Sequence, residues 1–72
     1  MDTNKEDADR LISFGYSYEY PGFWAKNMDQ DFTVTVSDGQ NDEGFWCVQI
    51  MNGGDFEGGF LYTSLDDVLR NH

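Results

Sequence analysis

Few side chains in this sequence could do chemistry. The single histidine, His72, occupies the last position and is not expected to be held in a fixed geometry. Ser13, Ser17, Ser37 and Ser64 have no histidine or lysine placed by a sequence motif to activate them. Cys47 is the only cysteine, so no disulfide can form within the chain. Inside the apolar run "FWCVQIM" it reads as a small buried hydrophobe rather than a reactive thiol. No Cys/His set has the spacing of a structural zinc site. The stretch "SDGQNDEG" offers oxygens from Asp38, Asn41, Asp42 and Glu43, but not in the order of a calcium loop. Paired carboxylates could serve as acid and base, yet so small a fold has little volume for an enclosing pocket. The sequence therefore predicts a non-enzyme without cofactor or metal.

What the chain has in quantity is negative charge. Fourteen carboxylates face four basic groups, a formal net charge of -10 over 72 residues. Such a balance keeps a small protein soluble. It also disfavours direct binding to nucleic acid or an anionic membrane, since both require a basic footprint. The complementary partner is a basic protein, and such surfaces occur on proteins that themselves bind nucleic acid. Twelve aromatic residues and alternating runs of Val, Ile and Leu exclude a disordered chain. There is no apolar run of membrane-spanning length, and the acidic start does not suit a signal peptide. With the lone cysteine, these features lead to the expectation of a cytoplasmic protein.

The elements that must position these groups fit one small domain spanning residues 1–72. Thr3 and Glu6 form a T-x-x-E capping box, and Ala8, Leu11 and Ile12 provide a narrow apolar stripe before a stop at Gly15. Tyr16, Tyr18 and Tyr20 alternate, which predicts an extended segment with three rings on one side, ended by Pro21. Four strand-like runs follow, at 23–28, 32–37, 45–51 and 56–63, joined by short turn-rich links. In "TSLDDVLRNH", Ser64 caps a helix whose buried stripe is Leu65, Val68 and Leu69. The expected fold class is α+β: an N-terminal helix, a four-stranded antiparallel meander and a C-terminal helix, in two layers with both helices on one sheet face.

The phrase Gly-Phe-Trp occurs twice, at Gly22 and Gly44. Adjacent strand residues point to opposite faces, so each Phe-Trp pair divides two large rings across the sheet. Trp46, Val48 and Ile50 form the natural core set of their strand, leaving Phe45, Cys47, Gln49 and Met51 on the other face. For Phe23 and Trp24 either orientation fits. Phe45, Met51 and one of Phe23 or Trp24 would thus lie among Thr33, Thr35 and Gln49 on the uncovered face, an arrangement that marks a protein contact, with a homodimer as its commonest form. In a meander the first and third turns share an end, which brings Asp29 and Asp31 near Asp55 and Glu57. Residues two apart on a strand are roughly 6.5–7 Å apart, a spacing of the same order as charges along a nucleic-acid strand. Asp38, Asp42 and Glu43 occupy the other end. Tyr16, Tyr18 and Tyr20 are candidate interface anchors.

In size, acidity and plain α+β make-up, and in the acidic turns "MDQD", "SDGQNDEG" and "GGDFEGG", the chain resembles small phage and mobile-element inhibitors, including anti-CRISPR proteins and other DNA mimics. The resemblance implies a stoichiometric protein that occupies a nucleic-acid-binding surface. An immunity protein or antitoxin that neutralises a nuclease-like toxin would use the same physics. A small dimeric adaptor, acidic only for solubility, is a third expectation.

Overall fold

The computed structural model describes residues 3–38 and 44–72. Residues 39–43, which include Asn41, Asp42 and Glu43, lie outside the described residues. The elements run α1 (Lys5–Ser13), β1 (Ser17–Tyr20), β2 (Phe23–Asn27), β3 (Phe32–Ser37), β4 (Trp46–Asn52), β5 (Asp55–Tyr62) and α2 (Leu65–Asn71). The sheet order is β1-β2-β3-β4-β5, with every pair antiparallel. The predicted helix–meander–helix α+β fold is present, with five strands rather than four. The additional strand is the tyrosine segment, whose backbone pairs with β2 through Ser17↔Ala25 and Tyr18↔Trp24.

α1 begins one residue later than the capping box predicts. Asn4 is the N-cap, and its side-chain oxygen accepts the Asp7 N–H at 2.9 Å. Thr3 is instead buried, and its hydroxyl accepts the Trp24 indole N–H at 3.0 Å. The helix ends in a Schellman motif: Gly15 N–H bonds Ile12 O and Tyr16 N–H bonds Leu11 O, both at 3.0 Å. Gly15 has φ +94°, a conformation that disfavours a Cβ. This reversal sends Leu11 and Tyr16 together onto the sheet. Ile12, expected in the buried stripe, lies a third of a turn away and is 58% exposed.

One sheet face carries the core. Trp24, Val34, Val36, Trp46 and Val48 pack with Leu11 and Tyr16 from one end of the chain and Leu65, Val68 and Leu69 from the other. α2 docks as its pattern predicts, with Ser64 Oγ accepting the Asp67 N–H at 3.3 Å. An Arg10–Asp66 ion pair joins the two helices. Both tryptophans face inward, which settles the first Phe-Trp pair: Trp24 is 2% exposed, and Phe23 points to the opposite face.

Candidate functional site

The β2–β3 link and the β4–β5 hairpin meet at one end of the sheet. The hairpin turns on Gly53 and Gly54, both at positive φ, as a two-residue loop requires. Gly53 N–H donates to Asp31 O at 2.7 Å and thereby fastens one turn to the other. Asp29 accepts the Gln30 N–H at 2.6 Å, and Asn52 Nδ2 donates to Glu57 Oε1 at 3.3 Å. Asp29, Asp31, Asp55 and Glu57 are all exposed around this junction.

Among the described residues, none of these four carboxylates forms an ion pair, and each of the four Lys and Arg side chains has another partner. Lys5 pairs with Asp9 at 3.4 Å, Arg10 with Asp66, and Arg70 with Asp67 at 3.8 Å. Lys26 donates to the main-chain oxygen of His72 at 2.6 Å and lies 4.6 Å from the centre of the Tyr16 ring. Burial lowers the Lys26 pKa from its ordinary value.

Beside the same turns, between the sheet and the end of α2, lies an open cleft of about 360 Å³. Met28, Phe32, Val34 and Ile50 supply its apolar surface, and Asp29, Asn71 and His72 its polar groups. His72 is fixed, contrary to expectation. Its Nε2 lies 2.7 Å from the Tyr62 hydroxyl, and its ring centre is 5.2 Å from that of Phe60. Burial, and secondarily the Lys26 charge, holds its pKa below the usual histidine range. Sequence reasoning missed this contact because it joins β5 to the residue that caps the end of α2, which no local pattern encodes.

Among the described elements, both helices pack on the core face and none lies on the sheet's opposite face. Its cross-strand rows are Tyr20–Phe23–Ser37–Cys47–Leu61, Ser17–Ala25–Thr35–Gln49–Gly59 and Asn27–Thr33–Met51–Phe56. None of these residues is charged, in a chain of net charge -10. Phe56 and Leu61 are about 60% exposed, and the Phe56 ring covers Gly59, where an added Cβ would lie 3.2 Å from it. Cys47 and Phe45 are half-buried.

The three tyrosines do not share a side. Tyr16 is 2% exposed and belongs to the core, so it offers no contact surface. Its hydroxyl is buried without a hydrogen-bond partner among the described residues, and burial raises its pKa. Tyr18 packs edge-on against Trp24 on the helix side. A register shift between Tyr18 and Tyr20 moves Tyr20 across the sheet, where it stacks on Phe23 with ring centres 4.7 Å apart. Asp38 is half-buried at the opposite end from the acidic turns, its N–H bonded to Gly22 O at 2.7 Å.

Among the described residues, no cluster of three or more His, Cys, Asp or Glu side chains could hold a metal ion. Nor is any described helix long and apolar enough to cross a membrane. The chain matches no protein-family model, no curated protein and no solved structure.

Proposed function

We propose that this protein is a non-enzymatic acidic binder that occupies a basic, nucleic-acid-binding surface of another protein, in the manner of the phage-type inhibitors and DNA mimics it resembles. The observation that carries this reading is the turn end: Asp29, Asp31, Asp55 and Glu57 are exposed there, and among the described residues none of them is in an ion pair. Carboxylates left without internal cations retain their field for a partner and steer its approach. The adjoining cleft adds an anchor. Its apolar wall suits the aliphatic stem of a partner's arginine or lysine, with Asp29 positioned for the charged head.

The test is capture of a target from lysate of the source cells at low and high salt, followed by affinity measurement with the identified protein. Affinity should fall steeply with salt. Joint replacement Asp29→Asn, Asp31→Asn, Asp55→Asn and Glu57→Gln should weaken binding at least about tenfold, a loss of ~1.4 kcal/mol. Binding indifferent to both changes rejects charge mimicry.

A further inference from the structure

The two edges of the sheet are built differently. β1 has four residues, a register shift at Glu19, and Pro21 directly after it. Short length, a bulge and proline are devices that prevent an edge from pairing with another chain. β5, the other edge, runs for eight residues. Its one irregularity lies at the Glu57 end, outside the stretch 58–62. That stretch, "GGFLY", contains no charge and no proline. Phe60 is 45% and Leu61 61% exposed. Along an edge strand, alternate N–H and C=O groups point away from the sheet and can be satisfied by a further strand.

We propose that β5 is the pairing edge of a symmetric dimer, in which β5 of a second copy adds antiparallel about Phe60 and joins two five-stranded sheets into one. The sequence of β5 indicates this occupant. Pairing centred on Phe60 places Leu61 opposite Gly59 of the second copy, and Tyr62 opposite Gly58. At each of these positions a large side chain faces a glycine. The Phe56 ring, which lies over Gly59, then meets the incoming Leu61 on the open face. Glu57 falls opposite Thr63, so no like charges are paired across the join. A basic strand would find no carboxylate within 58–62 to pair with, and would be desolvated against Phe and Leu.

The proposal does not rest on the acidic-binder reading, and salt separates the two. Two copies of charge -10 repel, so screening should strengthen dimerisation while it weakens binding to a basic target. Sedimentation equilibrium of the full chain, taken to millimolar protein at low and high salt, should show a monomer–dimer equilibrium favoured by salt. Leu61→Lys should weaken association at least tenfold with an unchanged circular dichroism spectrum. Phe60→Lys should do the same, and serves as the second variant because its ring also packs against His72. Thr35→Lys, in the middle of the open face, should leave the dimer intact. A monomer throughout the concentration range overturns the proposal. So does a dimer dissolved by Thr35→Lys that survives both edge variants, because the interface would then be the open face.

Discussion

The hydrogen bond from Trp24 to Thr3 secures one of the two inward indole rings to the residue just before the N-cap of α1. With Trp24 2% exposed, its indole N–H has no access to water once that acceptor is removed. Thr3→Val should therefore cost about 1–3 kcal/mol, the usual penalty for a buried donor left unsatisfied. Thr3→Ser should restore most of it. Urea unfolding followed by tryptophan fluorescence measures both, and equal stability for Val and Ser would remove the bond's importance. The sequence shows Thr3 as a polar residue before a helix, and capping is the natural reading of that position. Asn4 competes for the same role and takes it, and Thr3 turns inward to Trp24. The choice between Phe23 and Trp24 was likewise not legible locally. It depends on which ring meets Thr3 and Tyr18, and both lie on segments that come together only in the fold.

At the scale of elements, alternation was the most informative signal. Phe32–Ser37 forms β3 with the bounds its alternation predicts, because half-buried strands in the middle of a sheet must keep strict period two. β1 was less legible. It is four exposed residues long, so little burial constrains its pattern, and the shift at Glu19 breaks the side-to-side order of its tyrosines. Gly15 was readable as a helix stop, and the Schellman bonds show what it contributes. Gly15→Ala should destabilise by about 1–2 kcal/mol, since a Cβ at φ +94° is strained. The Lys26 side chain, 3.3 Å from the position of that Cβ, is flexible enough to move aside, so backbone strain should dominate. Thermal unfolding of the variant provides the check, and an unchanged midpoint would mean that the turn tolerates the methyl group.

For the whole molecule, charge and topology were both legible while the cleft was not. Short links in a meander place alternate turns at one end, so the shared end of the β2–β3 and β4–β5 links, where Gly53 bonds Asp31, follows from strand order. The cleft exists because α2 ends over Ile50 and Val34, a consequence of docking rather than of sequence pattern. A net charge of -10 within so small a body also opposes folding through self-repulsion. Raising salt from about 10 to about 150 mM shortens the Debye length from ~30 to ~8 Å. The unfolding midpoint of dilute protein should rise over that range, and a falling midpoint would show that attractive pairs outweigh repulsion. The strand order has a kinetic consequence as well. Every ladder joins neighbours in sequence, so each hairpin closes a short loop at small entropic cost and can zip onto the one before it. The meeting of Arg10 with Asp66, 56 positions apart, closes nearly the whole chain. The sheet can thus assemble stepwise from local hairpins, whereas the contact between the first helix and the last is the one that must close nearly the whole chain.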